Sequence, residues 1–297
     1  ALTTSANLVI GQITPIAGNW GIGTNPESFA VYGYTKYFVD KNRNAVLKLT
    51  GGSIQEISNA GMIDFFRDKL SAVTSTGVIL GAYDMYNQNY VLSIQPNNRY
   101  EPDGTDYKTL SFDERTQGWT SFYSYKPDAM FSCQGNFYTA KDTNDRSDIF
   151  KHYTNQTRNS FYGVTSQSSI QFVFNPSPNT MKTFQTINYE GSNGWEVTAL
   201  LSDETGYDAS GGNWITHVDT IVEGSGVGEY SKIYSYNEGA YVENNIQYRA
   251  GFDRKQNKYM AAIPNNTQTP IAGEVIFGNS MTGIKAYYTT VTMKTDA

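Results

Sequence analysis

The chain reads as an all-β protein, an antiparallel meander with a propeller-like body and one short helix. Three observations lead there. Runs rich in Tyr, Phe, Val, Ile and Thr alternate with Gly, Asn, Asp and Pro punctuation along most of the 297 residues. Aromatic residues reach 14%, including 23 Tyr and 15 Phe, which a chain needs if it is to bury a core with so little charge. One aromatic hairpin pattern recurs.

The expected strands run over 29–34, 37–49, 78–94, 119–125, 170–174, 194–201, 232–236, 241–252, 258–263 and 284–293. A single segment, 61–72, has helical spacing, with Met62, Ile63, Phe66 and Leu70 on one face. Ser58 or Asn59 is the expected cap of that helix. The polar, Gly-rich stretch 202–213 reads as a long loop. It divides the chain into a propeller-like body with its helix, 1–202, and further strands, 203–297, that can complete the same body.

The recurrent unit is an aromatic strand, an Asp, a polar turn, and a return strand with Val or Tyr six residues after the Asp. Asp40 leads to Val46, Asp84 to Tyr90 and Asp253 to Tyr259. An Asp at such a place accepts backbone N–H bonds that the turn would otherwise leave unpaired. Asp40, Asp84 and Asp253 are therefore expected at equivalent hairpin turns. A degenerate fourth copy covers Met130 to Tyr138.

Composition restricts the chemistry. The net charge of −6 argues against a general nucleic-acid binder, whose affinity rests on a basic face. Cys133 stands alone, which suits a reducing compartment. His152 and His217 have no neighbouring ligand pattern, so no metal site is expected. The stretch Asp142, Asn144, Asp145, Asp148 reads as a solvated loop, because Arg146 breaks the spacing of a calcium loop. Gly224, Gly226 and Gly228 lack the Lys of a phosphate loop. Asp113, Glu114, Glu190, Glu196, Asp203 and Glu204 supply carboxylates from which a glycoside hydrolase pair could be drawn. No catalytic residue and no cofactor is assigned. In Trp119–Tyr125, alternation places Trp119, Ser121, Tyr123 and Tyr125 on one strand face. Trp119, Tyr123 and Tyr125 read first as core and second as a subunit or glycan contact.

Several segments taken in order carry a resemblance. They are Asn25-Pro26-Glu27-Ser28-Phe29-Ala30, Tyr37-Phe38-Val39-Asp40-Lys41-Asn42-Arg43-Asn44, Ile57-Ser58-Asn59-Ala60-Gly61-Met62 and Phe65-Phe66-Arg67-Asp68. Further on come the stretch 119–132, Asn159-Ser160-Phe161-Tyr162-Gly163, the stretch 182–191 and Ser280-Met281-Thr282-Gly283-Ile284-Lys285. Together they resemble virion structural proteins of tailed bacteriophages, in particular the tail muzzle or nozzle proteins of crAss-like and marine phages. Those proteins are longer, so the resemblance implies their C-terminal part. It implies a non-enzymatic tail component, in a ring or tube near the DNA exit path, assembled in the host cytoplasm. Its partners would be copies of itself and other tail proteins, with DNA passing without specific binding. The alternatives are a glycan-binding adhesin or tail-fibre module that meets a host surface glycan, and a β-propeller glycoside hydrolase.

Overall fold

The computed structural model describes residues 15–98, 106–143, 146–202, 205–208, 213–216, 233, 235–236, 241–243, 246–248, 251–263 and 283–295. The chain divides into two compact units, one up to Val164 and one from Thr165.

The first unit opens with a 3-10 turn, Pro26–Ser28, and a four-stranded meander. Its strands are β1 (Ala30–Tyr32), β2 (Thr35–Asp40), β3 (Ala45–Thr50) and β4 (Ser53–Glu56). Helix α1 (Ile63–Ser71) follows. A second four-stranded meander contains β5 (Gly77–Asp84), β6 (Asn89–Asn98), β7 (Lys108–Asp113) and β8 (Gly118–Tyr123). A third sheet contains β9 (Ala129–Cys133), β10 (Asn136–Thr143) and β11 (Arg146–Lys151). β12 (Ser160–Phe161) and β13 (Val164–Thr165) form a short ribbon.

Strand alternation decides how these sheets stack. Tyr83 and Tyr90 are cross-strand partners on one face of β5–β8, while Ala82 and Val91 are partners on the other. The first face packs on β1–β4 and α1. There Tyr83 stacks on Tyr32 (4.1 Å between ring centroids) and Tyr37 stacks on Tyr90 (4.7 Å). Phe66, Leu70, Leu92 and Phe112 join them in one buried cluster. The second face packs on β9–β11 through Phe137.

A close approach locks the first pair of sheets. Gly81 carries no side chain, and the Pro26–Ser28 turn presses against it; a Cβ there would lie 2.1 Å from the Ser28 carbonyl oxygen. Tyr90 donates its hydroxyl to that same carbonyl at 2.7 Å. Ser28 in turn accepts from the Val39 N–H and donates to the Asn25 carbonyl.

Helix α1 lies where its spacing places it, with Phe66 and Leu70 buried. Its expected cap is corrected: Met62 takes the N-cap position with no side-chain bond. Ser58 instead accepts from the Val46 N–H at 3.2 Å and donates to Glu56 at 2.9 Å, so its hydroxyl serves β3 rather than the helix.

The second unit begins with β14 (Ser168–Phe174), β15 (Lys182–Phe184), β16 (Thr186–Glu190), β17 (Trp195–Ser202), β18 (Thr205–Asp208) and β19 (Asn213–Thr216). After these come β20 (Tyr241–Glu243), β21 (Ile246–Tyr248), β22 (Asp253–Lys255), β23 (Lys258–Ala262), β24 (Ile284–Ala286) and β25 (Thr289–Thr295). The last strand, β25, lies between β14 and β17, and β23 lies between β16 and β22. Val197, Leu200, Phe252, Tyr259 and Val291 lie in its core. β18 pairs with β19, so strand replaces part of the loop expected over 202–213. Of the strand expected at 232–236, Ile233 bridges to Val197.

The fold is thus all-β and antiparallel with one short helix among the described residues. The sheets are open, and no closed barrel is formed among those residues, so a propeller is not shown.

Candidate functional site

The hairpin aspartates come first. Asp40 ends β2 and pairs with Ala45. Its Oδ1 accepts from the Arg43 N–H at 3.2 Å, while Oδ2 accepts from the Gly21 N–H and the Arg43 guanidinium, each at 3.0 Å. Asp84 ends β5, pairs with Asn89, and is 0% exposed. Its Oδ1 accepts from the N–H groups of Tyr86 (2.9 Å) and Asn87 (3.3 Å), and Oδ2 accepts the Tyr153 hydroxyl. In both hairpins the fourth residue after the Asp is left-handed, Asn44 at φ 53° and Gln88 at φ 57°.

The third member of this set is Asp113, not Asp253. Asp113 ends β7 and pairs with Gly118, it accepts from the Arg115 N–H at 2.7 Å, and Gln117 is left-handed at φ 51°. Trp119, six residues on, holds the place of Val46 and Tyr90, and that spacing was the available signal. Asp253 instead begins β22, opposite Met260, and is exposed. The turn between Lys255 and Lys258 is tighter, and it leaves Asp253 inside the strand. Asp84→Ala is expected to weaken folding by about 1–2 kcal/mol, the scale of lost turn bonds, and Asp253→Ala by no more than about 0.5. Urea unfolding of both variants checks the contrast.

Glu114, next to Asp113, ties the two four-stranded sheets together. It accepts the Tyr37 hydroxyl from β2, the Lys48 ammonium from β3 at 2.5 Å, and the Gln117 amide at 3.0 Å. Burial opposes its ionisation, but the hydrogen bonds from Lys48, Tyr37 and Gln117 outweigh it and hold the carboxyl below its usual range. Asp113 is likewise held low, by its bonds to Arg115. Glu190 pairs with Lys258 at 2.8 Å. These candidate acids are thus matched by cations. Asp203 and Glu204 lie outside the described residues.

The aromatic strand β8 is rearranged by a bulge. Ser111 pairs with Ser121 but Phe112 pairs with Trp119, so Thr120 is an extra residue. The four residues expected on one face are therefore divided. Trp119 turns to the α1 side with Phe122, packing on Phe66 (4.7 Å) and donating its indole N–H to the Ile57 carbonyl at 3.0 Å. Phe122 is 57% exposed and meets Phe65 at 5.5 Å. Tyr123 faces the other way and donates to Ser111 at 3.3 Å. Tyr125, 3% exposed, is enclosed by Tyr123, His152, Phe161 and Tyr162. These positions place Trp119 and Tyr125 in packing roles rather than on an open platform.

Among the described residues no group of three or more His, Cys, Asp or Glu is placed to hold a metal. Asp142 and Asp148 belong to a hairpin rather than the expected loop: Asp142 pairs with Ser147, and Lys141 with Asp148. Cys133 is exposed at the end of β9. His217, Gly224 to Gly228 and Ser280 to Thr282 lie outside the described residues. No helix among the described residues is long and apolar enough to cross a membrane.

Antiparallel meanders with aromatic cores, two of them tied together by the Lys48–Glu114 ion pair, define an all-β protein. Two family models place it further. The Crassvirus muzzle protein matches residues 19–143, and the Crassvirus muzzle protein C-terminal domain matches residues 156–266. The chain belongs to the Crassvirus muzzle protein family, a structural component of the phage tail. Comparison with curated proteins returns no match.

Proposed function

We propose that the chain is a building block of a symmetric ring or tube at or near the DNA exit path, acting without catalysis. The observation that carries this is the serial match of both muzzle families along one chain. Physical features support it. Large side chains remain exposed at several places, such as Tyr34 (90%), Tyr86 (65%) and Ile149 (65%), in a chain with few charges. Such residues suit contacts with copies of itself and with other tail proteins. The acidic balance suits passage of DNA, because a basic lining would hold phosphates by counterion release. A single cysteine suits assembly in a reducing host cytoplasm.

Electron microscopy of the chain co-expressed with neighbouring tail proteins is expected to show closed rings. A hydrolase screen with phage-host glycans is expected to show no turnover. Glycan cleavage that disappears in Asp113→Asn or Glu190→Gln would replace this reading with the hydrolase.

A further inference from the structure

The two faces of β5–β8 are sealed differently. Toward β1–β4 the seal is a continuous apolar cluster that includes Tyr37, Tyr90, Phe66, Phe112 and Leu92. Toward β9–β11 the buried apolar part shrinks to Ala82, Val91 and Phe137, with Met130 against them. Much of the remainder is polar, with Ser93, Thr109 and Ser111 fully buried. At the border of that thin seal lies His152, the residue after β11. Its ring is 5.0 Å from Phe137, 5.1 Å from Tyr125 and 6.0 Å from Phe161. Its Nε2 is 2.8 Å from Thr139 Oγ1, which accepts the Tyr162 hydroxyl at 2.9 Å.

We infer that His152 makes β9–β11 an acid-released leaf: a proton on this imidazole frees the sheet from β5–β8 while β1–β8 keeps its packing.

The groups around the ring explain why a charge is not tolerated. From the segment after β8 comes Tyr125, from β10 Phe137 and Thr139, from β12 Phe161, and beside it in the chain Tyr153. The titratable ones are phenols, and burial raises both Tyr125 and Tyr153, so they stay neutral. Asp84 lies one step beyond, its carboxylate already bonded to Tyr153, Tyr86 and Asn87. Lys126, next to Tyr125, is buried with a partner of its own, and Lys151 is exposed. Burial alone lowers the His152 pKa from 6.5 to about 4.

A leaf that opens returns the imidazole to water and to its ordinary pKa. Between about 6.5 and about 4 the open form binds a proton that the closed form does not. The closing contribution is therefore complete above about 6.5 and is lost as pH falls through this window. From pH 7.5 to pH 5 the opening constant is expected to rise about 30-fold, from those two pKa values. Ordinary carboxylates titrate below this range, and Asp113 and Glu114 lower still.

Hydrogen exchange of the full chain at pH 7.5, 6 and 5, corrected for intrinsic rates, tests this. Opening of β9–β11 is expected to rise about 30-fold, with β2, β3 and β5–β7 still protected. His152→Phe keeps a ring but cannot take a proton, and is expected to flatten the pH dependence. The same slope in that variant, or protection lost equally in all three sheets, would overturn the inference. A second measurement does not depend on that variant folding. His217→Gln leaves one histidine, whose ring signal can be followed by NMR. A midpoint well below 6.5, with β9–β11 losing its protection over the same pH range, supports the leaf; a midpoint at 6.5, or a low midpoint with β9–β11 still protected, overturns it.

Discussion

Gly81→Ala is expected to destabilise the first unit by about 3 kcal/mol or more, at the upper end of overpacking effects. The added Cβ would meet the Ser28 carbonyl oxygen at 2.1 Å and the Tyr90 hydroxyl at 2.6 Å. The Ser28 carbonyl is main chain, fixed by the bonds of its own side chain to Val39 and Asn25, so it cannot simply rotate away. The substitution must push the Pro26–Ser28 turn off β5 and break the Tyr90 bond with it. Gly118→Ala is the control, because its nearest neighbour would be 3.8 Å away. Unfolding free energies from urea titration that differ by less than about 0.5 kcal/mol between the two variants would show that the turn does not seat on Gly81.

Phe66→Ala is the second large effect, expected to remove about 3–5 kcal/mol, the range for deleting a buried aromatic ring. Phe66 is fully buried, tilted against Trp119 at 4.7 Å and edge-on to Phe65 at 5.3 Å. Losing the ring leaves a cavity that the rigid sheets on either side cannot close. Phe122→Ala removes a ring of the same size from an exposed position and is expected to weaken folding by less than about 1 kcal/mol. The two units can unfold in separate transitions, so the comparison belongs to the first unit's transition, followed by near-ultraviolet circular dichroism.

Much of the first unit was legible because its signals are local. Period-two apolar patterns and polar turns marked the hairpins at Asp40 and Asp84, and helical spacing marked Phe66 and Leu70. What the residues did not reveal depends on partners distant in sequence or on a single extra residue. The bulge at Thr120 moves Trp119 to the opposite face, and nothing in the alternation of 119–125 announces it. The polar stretch 142–148 has the composition of a loop, yet Asp142 and Ser147 pair as strand. The place of β25 between β14 and β17 joins segments about a hundred residues apart, beyond any local pattern. The turn role of Asp113 is hidden because its hairpin shares the spacing of Asp40 and Asp84 but ends in Trp119 rather than Val or Tyr. Asp253 shows the converse: it has the spacing, and a tighter turn keeps it in the strand.

Membership in the muzzle family places this chain in the tail of the particle. Immunogold electron microscopy of intact virions, with antibodies raised against the folded chain, tests that most directly. Gold confined to the distal tail is the expected result. Gold on the capsid alone, or particles that stay unlabelled while the protein is found free in the lysate, would contradict it.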